Sequence, residues 1–216
     1  MPPARATGHH CVMTKIRTSE PDDPGAAGDA FARLLAAAGD QKGKPPVERW
    51  NPEYCGEIDM RIAADGTWFY RGTPIGRQKL VQLFASILRK DPERYVLVTP
   101  VERVGIDVED APFLAVEMAV AGEGASRALS FRTNVDDLVQ VGPDNRLRFE
   151  TQPDGGVKPY LRVRGDLWAL VTRALMFDLI EMGEERIVDG KTVYGLDAGG
   201  VFHVIASDGG HAPGIA

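Results

Sequence analysis

The chain has 216 residues, of which 44% are hydrophobic, and a formal net charge of −6. A chain of this length can form one large domain or two small ones with a substantial core. The acidic balance argues against duplex nucleic acid and anionic membranes as partners. Two cysteines, Cys11 and Cys55, fit neither a disulfide framework nor a zinc pattern, which favours a reducing cytoplasm. The most apolar stretch, 167–182, is interrupted by charged residues and is too short to span a membrane.

The two ends of the chain differ in composition from the rest. Residues 1–28 are rich in proline, glycine, alanine and charged residues, which predicts a disordered leader. This segment has no apolar core of the kind that a secretory signal needs. Translation starts at Met1 or at Met13, and the sequence leaves both open. Residues 208–216 are expected to form a flexible tail, and Asp29 is expected to cap a short first helix.

The first half of the chain predicts strands arranged around one helix. Alternating apolar residues on both sides of the Asp-Gly pair at 65–66 predict a β-hairpin. The Trp-Phe-Tyr run at 68–70 is typical of a strand that is buried on both faces. An apolar stripe with helical spacing predicts an amphipathic helix over 77–90. Further strands are predicted at 95–99, 101–108, 112–121 and 126–133.

The second half shows a similar plan around another Asp-Gly pair, at 154–155. Leu147 and Phe149 precede this turn by seven and five residues, the same offsets at which Ile58 and Met60 precede the first turn. A tyrosine follows each turn, and a second helix is predicted over 166–182, apolar nearly all round and therefore buried. These offsets favour a duplicated strand–hairpin–helix unit, although the coincidence of a common supersecondary unit stays open.

We therefore expect an α+β fold of two structurally similar halves. The predicted domains are an N-terminal α+β domain at 29–133 and a C-terminal one at 134–207. Two final strands are predicted at 191–197 and 200–206.

The sequence carries no motif that predicts catalysis. It has no nucleophile elbow, no glycine-rich phosphate loop and no metal-ligand spacing, so we expect no catalytic residue, metal or cofactor. His203 is expected to be a structural histidine on a strand, and Cys55 a small buried residue. Carboxylates such as Glu102 and Asp110 leave an enzyme as an alternative, because paired carboxylates come together in space rather than in sequence.

Positive charge is concentrated in the same predicted element of both halves, within 71–90 and 155–173. Alternate residues of a strand project from one face, and the first turn of a helix favours an anion. We therefore predict an anion-binding groove between the halves. Its predicted residues are Tyr70, Arg77, Lys79, Tyr160, Arg162 and Arg164. Two alternatives stay open: a solvated basic face, and a surface for protein–protein contact.

Three long blocks resemble one known family. They are "PPVERWNPEYCGEIDMRIAADGTWFYRGTPIGRQKLVQLFASIL", "YVLVTPVERVGIDVEDAPFLAVEM" and "KPYLRVRGDLWALVTRALMFDLIE". They identify residues 44–206 as similar to the bacterial family called domain of unknown function 1285. The resemblance implies two similar α+β halves, the second loosely like a pleckstrin-homology barrel capped by a helix. It also implies a ligand site between the domains and a part in signal transduction, with no established activity and no established functional residues.

Together these observations predict a cytoplasmic, non-enzymatic ligand-binding or regulatory module. The expected ligand is a small anionic or nucleotide-like molecule, and a protein partner is also considered. Two alternatives remain: a hydrolase-type enzyme of unknown substrate, and a pure protein-interaction scaffold. Neither the ligand nor the oligomeric state follows from the sequence.

Overall fold

The structure is a computed structural model that describes residues 45–207. The predicted leader, the first helix at Asp29 and the predicted tail lie outside the described residues.

The N-terminal part forms a six-stranded sheet. Its strands are β1 (Tyr54–Ile62), β2 (Trp68–Tyr70), β3 (Thr73–Pro74), β4 (Leu88–Lys90), β5 (Tyr95–Val98) and β6 (Arg103–Val108). They lie in the order β3-β2-β1-β6-β5-β4. A short 3₁₀ turn, Val47–Arg49, precedes them, and helix α1 (Gln78–Ser86) lies between β3 and β4.

The first predicted hairpin is confirmed. Strands β1 and β2 pair antiparallel, with Met60 opposite Tyr70 and Ile62 opposite Trp68. The Asp-Gly pair forms the turn, where Asp65 Oδ1 accepts the backbone N–H of Thr67 at 2.9 Å. Trp68 is buried at 1% exposure, whereas the two aromatic residues after it are only half buried. The expectation of burial on both faces was therefore wrong at those two residues.

The first helix is shorter than the predicted span of 77–90. It ends at Ser86, and residues 88–90 form β4, in which Leu88 lies opposite Leu97 of β5. The apolar stripe fits both a longer helix and a strand at 88–90, because Leu88 is buried in either structure. Backbone pairing with β5 replaces further helical hydrogen bonds, and the buried Arg89 side chain is bonded to carbonyl groups of the N-terminal 3₁₀ segment.

The second sheet also has six strands. They are β7 (Phe113–Ala121), β8 (Ala128–Thr133), β9 (Leu138–Gln140), β10 (Leu147–Thr151), β11 (Val157–Arg164) and β12 (Leu167–Val171). Their order is β10-β11-β12-β7-β8-β9, and β12 pairs with β7 in parallel. A 3₁₀ turn, Gly124–Ser126, lies between β7 and β8. Helix α2 (Arg173–Glu181) follows β12, and a three-stranded sheet then forms from β13 (Glu184–Val188), β14 (Lys191–Ala198) and β15 (Val201–Ser207).

The two six-stranded sheets share one strand order. Numbered within its own sheet, each reads 3-2-1-6-5-4, so the described chain is a sheet-rich α+β protein with two similar halves. The duplicated element is a whole sheet, whereas the offsets predicted a strand–hairpin–helix unit. The turn at 65–66 joins strands 1 and 2 of its sheet, while the turn at 154–155 joins strands 4 and 5. The helices also differ, because α1 follows strand 3 and α2 follows strand 6.

The predicted helix over 166–182 is a strand followed by a helix. Residues 167–171 form β12, where buried and half-buried residues alternate as in a strand with one covered face. Gly165, with a φ of 48°, lies in the turn that reverses the chain into this strand. Helix α2 begins only at Arg173 and exposes Phe177, so the expectation of burial on every side was wrong. A short apolar run fits a strand and a helix equally well.

The change from the first sheet to the second falls between Val108 and Phe113. The predicted boundary at 133/134 lies between β8 and β9, which pair within the second sheet. That one independently folding domain ends at 133 and the next begins at 134 stays a prediction. The internal contacts group the described residues into two compact units, 45–59 with 83–106, and 60–82 with 107–207.

Candidate functional site

A hairpin turn forms one wall of a cavity in the second sheet. Strands β10 and β11 pair from Leu147 opposite Leu161 to Thr151 opposite Val157. In the turn, Asp154 Oδ1 accepts the backbone N–H of Gly156 at 2.9 Å, and Gly155 takes a φ of 82°. The side-chain acceptor and the left-handed glycine together fix this turn.

Helix α2 forms the opposite wall. Its start is anchored by the backbone N–H of Thr172, which donates to the carbonyl of Ala115 at 3.2 Å. Four residues at helical spacing line the cavity: Arg173, Met176, Phe177 and Ile180. The helix has no acidic residue in its first turn.

Between these walls lies a cavity of about 510 Å³. This volume is within the range of about 300–1,000 Å³ that small-molecule sites occupy. Its remaining lining residues come from the hairpin and from the end of β12: Gln152, Asp154, Gly156, Val157, Lys158, Pro159, Leu170 and Val171. Most of this lining is apolar, with Lys158 and Arg173 as its cations and Asp154 as its carboxylate.

Lys158 connects the cavity to a partly buried polar network. Its ammonium group donates to Asp110 Oδ2 at 2.7 Å, and the hydroxyl of Tyr160 donates to Asp110 Oδ1 at 2.7 Å. Burial by itself raises the pKa of Asp110, but the hydrogen bonds from Lys158 and Tyr160 outweigh it and hold the pKa below its ordinary value. Burial and the bond to Asp110 raise the pKa of the Tyr160 phenol. Asp110 is therefore ionised and Tyr160 protonated at neutral pH.

The Arg173 guanidinium lies over the ring of Phe177, with 5.6 Å between its carbon and the ring centroid. No carboxylate of residues 45–207 forms an ion pair with it. An arginine in this setting can donate two parallel hydrogen bonds to a carboxylate or a phosphate.

The structure places the second-half members of the predicted site on β11, each with an internal partner. Tyr160 is bonded to Asp110 as described. Arg162 Nε donates to the carbonyl of Gly165 at 2.6 Å, and Arg164 Nη1 donates to Asp137 Oδ2 at 3.0 Å. These contacts fix the side chains within the sheet. The prediction that they bind a ligand stays a prediction.

The first-half members lie at the end of β2 and at the start of α1. Tyr70 is half buried, whereas Arg77 and Lys79 are exposed. Helix α1 contacts the 134–137 turn, since Gln78 Nε2 donates to the Asn134 carbonyl at 2.7 Å and Gln82 Nε2 donates to Asp136 Oδ2 at 2.6 Å.

Arg164 binds the last residue of that same turn. Helix α1 and Arg164 therefore contact the same turn, 134–137. Tyr160 and Lys158 lie elsewhere, where both bind Asp110. Lys158 and Arg173 fall within the basic segment 155–173 but were not among the site residues predicted from the sequence. Met176 and Phe177 fall within the helix predicted over 166–182.

The structure also places three other residues that the sequence singled out. His203 is 3% exposed, and its ring nitrogens lie 3.3 Å from the carbonyl oxygens of Leu147 and Ala198, which confirms a structural histidine on a strand. Cys55 is half exposed, so the expectation of a buried cysteine was wrong. Glu102 is buried.

Among residues 45–207, no helix is long and apolar enough to cross a membrane. Within the same range, no group of three or more histidine, cysteine or acidic residues is placed to hold a metal ion.

Comparisons with known proteins match nearly the whole described chain. The model of the DUF1285 N-terminal domain, a domain of unknown function, matches residues 45–111, and that of the DUF1285 C-terminal domain matches residues 112–205. The crystal structure of a DUF1285 family protein from Silicibacter pomeroyi is 47% identical, with a TM-score of 0.73. That match covers 81% of this chain and 94% of the other. A second, from Shewanella baltica, is 30% identical with a TM-score of 0.46, covering 58% of this chain and 92% of the other. No curated protein matches.

Proposed function

The chain belongs to the DUF1285 family, as its three sequence blocks predicted, and we propose that it is a non-enzymatic ligand-binding module with a regulatory or signalling role. Its ligand is a small anionic molecule, bound in the cavity between the β10–β11 hairpin and α2. The observation that carries this proposal is the cavity itself, about 510 Å³ of mostly apolar space with Lys158 and Arg173 in its lining. Small-molecule sites have this composition, in which a few polar groups orient a ligand held by apolar walls.

The non-enzymatic part of the proposal is supported by the roles of the best candidate catalysts. Asp110 has both carboxylate oxygens engaged by Lys158 and Tyr160. His203 is buried, and burial lowers the pKa of its imidazole. A general acid or base must reach its substrate, and these two groups are committed to internal contacts. Turnover of a generic phosphoester, ester or glycoside would instead favour the hydrolase alternative.

A scaffold function is the second candidate, and one observation favours it. Strand β13 is an edge strand of the third sheet, and Ile187 on it is 75% exposed. Exposed edge strands can pair with an extended segment of another protein. Capture of a defined partner that is lost in Ile187→Lys, together with no ligand for the cavity, would favour this function.

Three finer expectations belong to the same proposal. We propose a cytoplasmic location, which rests on the sparing use of cysteine. We also propose that the second half is loosely like a pleckstrin-homology domain, since a strand-rich body is followed there by a helix. The six residues predicted from the sequence are kept as a second candidate set for anion contact.

The experiment that tests the function is a thermal-shift screen of the full chain against inorganic phosphate, nucleoside monophosphates, sugar phosphates and small organic acids. A ligand at 100 times its Kd adds about 2.7 kcal/mol of stability. At about 2–4 °C per kcal/mol, this raises Tm by several degrees. We expect the shift to be lost in Arg173→Met and kept in Lys191→Met, which removes an exposed lysine of β14 outside the cavity. A screen without any shift, or a shift unchanged in Arg173→Met, would contradict the proposal.

A further inference from the structure

The charge in the cavity lining is small. Two cations, Lys158 and Arg173, face one carboxylate, Asp154. The ammonium group of Lys158 is also shared with Asp110 at 2.7 Å, so much of its charge is compensated. The charges of Lys158, Arg173, Asp154 and Asp110 sum to zero, and Arg173 is the cation of the lining that forms no ion pair within residues 45–207. A site with one unpaired cation matches a singly charged anion better than a polyanion, whose further charges would lose water without gaining a partner.

The apolar part of the cavity extends along α2, away from Arg173. On α2, Met176, Phe177 and Ile180 follow Arg173 along one face, and this face rises about 10 Å from Arg173 to Ile180 at 1.5 Å per residue. Phe177 is 49% exposed, a large apolar surface beside a cavity. Methionine adapts its shape to the molecule that it contacts. The cation at one end of an apolar row complements a molecule with one charged head and an apolar chain.

From this arrangement we infer that the ligand is an amphipathic monocarboxylate. Its carboxylate binds the guanidinium group of Arg173, and its unbranched hydrocarbon chain lies along Met176, Phe177 and Ile180 against Val157 and Pro159. This inference rests on the proposed function and narrows it, because it excludes di- and triphosphates and other hydrophilic polyanions as the principal ligands.

The test is a calorimetric titration of the full chain with molecules that differ only in the head or in the chain length. The probes are butanoate, hexanoate and octanoate, then 1-octanol and octylammonium, with phosphate and adenosine monophosphate as hydrophilic anions. We expect octanoate to bind at least tenfold more tightly than 1-octanol or octylammonium. Each added methylene should tighten carboxylate binding about fourfold, which corresponds to about 0.8 kcal/mol.

Matched variants locate the binding. Arg173→Met should weaken octanoate about tenfold and leave 1-octanol unchanged, because it removes a charge-assisted bond to the ligand. Phe177→Ala should weaken the long carboxylates more than butanoate. Arg49→Met is the control arginine: it is exposed, lies in the 3₁₀ turn Val47–Arg49 and is outside the cavity lining. Arg77→Met tests the alternative anion site that the sequence predicted. Both Arg173 and Phe177 are exposed enough for these variants to keep the fold, which a circular dichroism melt verifies.

The results separate this inference from the proposed function. Equal binding of octanoate and 1-octanol, or no gain with chain length, would overturn the amphipathic carboxylate. If phosphate or adenosine monophosphate binds more tightly than octanoate and depends on Arg173, the anion-binding function stands and the ligand class is wrong. Binding that depends on Arg77 and not on Arg173 would place the site elsewhere and overturn the inference. No binding by any anion would overturn both.

Discussion

Tyr160 donates a hydrogen bond to Asp110, fifty positions earlier in the chain, with 2.7 Å between the two oxygens. The other carboxylate oxygen accepts from Lys158 at the same distance. The Asp110 side chain is 15% exposed, so this ion is partly withdrawn from water, where a hydrogen bond to it is stronger than in bulk solvent. Asp110 belongs to the segment that joins β6 to β7, and the network therefore fastens that segment to β11.

Tyr160→Phe removes one bond to this ionised, partly buried carboxylate and should lower the free energy of unfolding by about 1.5–3 kcal/mol. Tyr194→Phe is the matched control, because Tyr194 donates at 2.7 Å to a neutral acceptor, the carbonyl of Ile180. That loss should be smaller, about 1 kcal/mol. Urea unfolding at pH 7 measures both. A loss in Tyr160→Phe no larger than that in Tyr194→Phe would show that the ionised acceptor adds nothing.

His203 predicts a pH dependence of stability in mild acid. Burial lowers the pKa of its imidazole below 6.5, although the carbonyl groups of Leu147 and Ala198 act in the opposite direction. The unfolded chain therefore binds a proton at a higher pH than the folded chain does. Stability from this residue is complete above about pH 6.5 and is lost as the pH falls from 6.5 through the folded pKa.

The measurement is the free energy of unfolding from pH 7.5 to pH 5 in wild type and His203→Gln. We expect the wild type to lose stability on acidification by more than the variant does. The other titrating groups are common to both proteins and cancel in the difference. Parallel curves over this range would mean that His203 takes up its proton equally in the folded and unfolded states.

Much of the strand content could be predicted from the sequence. The hairpin at 65–66 is confirmed by the register of β1 and β2, and the predicted strands near 95–99 and 191–197 correspond to β5 and β14. These elements carry local signals: an Asp-Gly turn and alternating apolar residues. The resemblance to the family is also confirmed.

The helix ends and the cavity could not be predicted in the same way. Residues 88–90 and 167–171 continue an apolar helical stripe, and pairing with the neighbouring strands β5 and β11 makes them strands. The cavity needs the hairpin at 152–158 to lie opposite a helix that begins at Arg173. No local sequence pattern predicts that the hairpin and the helix lie opposite each other. A count of basic residues found Lys158 and Arg173, but only the fold shows that both line one cavity.

The two Asp-Gly turns offer a matched test of packing. Gly66 and Gly155 have φ values of 78° and 82°, so an alanine costs similar backbone strain at each. A Cβ on Gly66 would lie 2.7 Å from Asn134 Nδ2 and 3.1 Å from Leu114, whereas a Cβ on Gly155 meets nothing within 4 Å.

We therefore expect Gly155→Ala to lower the free energy of unfolding by about 1 kcal/mol. Gly66→Ala should lower it by about 1–3 kcal/mol more, because overpacking adds to the backbone strain. Thermal or urea unfolding of both variants measures the difference. Equal losses would mean that Asn134 and Leu114 move aside without cost, and that the β1–β2 turn does not pack tightly against the second sheet.

Arg89 has a structural role, although it belongs to the basic segment 71–90 from which the anion site was predicted. Its side chain is buried, with Nη1 donating to the carbonyl groups of Val47 at 2.8 Å and Trp50 at 2.6 Å, and Nε donating to Asp91 at 2.7 Å. Arg89→Met removes these bonds, while Asp91 keeps a bond from Arg103 at 3.0 Å and the Val47 carbonyl keeps one from the Trp50 N–H at 3.2 Å. The variant should lower the free energy of unfolding by about 1.5–3 kcal/mol. Lys90→Met is the control, because the Lys90 ammonium group lies 4.1 Å from the centroid of the Tyr95 ring and forms no ion pair with residues 45–207.

Lys90→Met should lower the free energy of unfolding by about 0.5–1 kcal/mol, the contribution of a partly exposed cation over an aromatic ring. Arg89→Lys should recover little, because an ammonium group cannot present the fork that holds two carbonyl groups and a carboxylate. Hydrogen exchange adds a local readout: amides near Val47 and Trp50 should exchange faster in Arg89→Met. Unchanged exchange there would show that the N-terminal segment is held by other contacts.

Arg77 and Arg162 test the anion site that the sequence predicted. Arg77 is exposed before α1, and Arg162 is half buried with its Nε bonded to the carbonyl of Gly165 at 2.6 Å. Neither residue is in a buried ion pair, so Arg77→Ala and Arg162→Ala should keep the fold and change Tm by only a few degrees. If these arginines bind the ligand, each variant should weaken its affinity about tenfold, as for the loss of one charge-assisted bond.

The cavity proposal expects the opposite order, with affinity lost in Arg173→Met and kept in both alanine variants. A titration of wild type and the three variants with the best anion from the thermal-shift screen decides between the two sites. Loss of affinity in Arg77→Ala and Arg162→Ala alone would support the predicted set of six residues. If either alanine variant unfolds, that arginine is structural, and its contact, such as the bond from Arg162 to Gly165, stabilises the turn between β11 and β12.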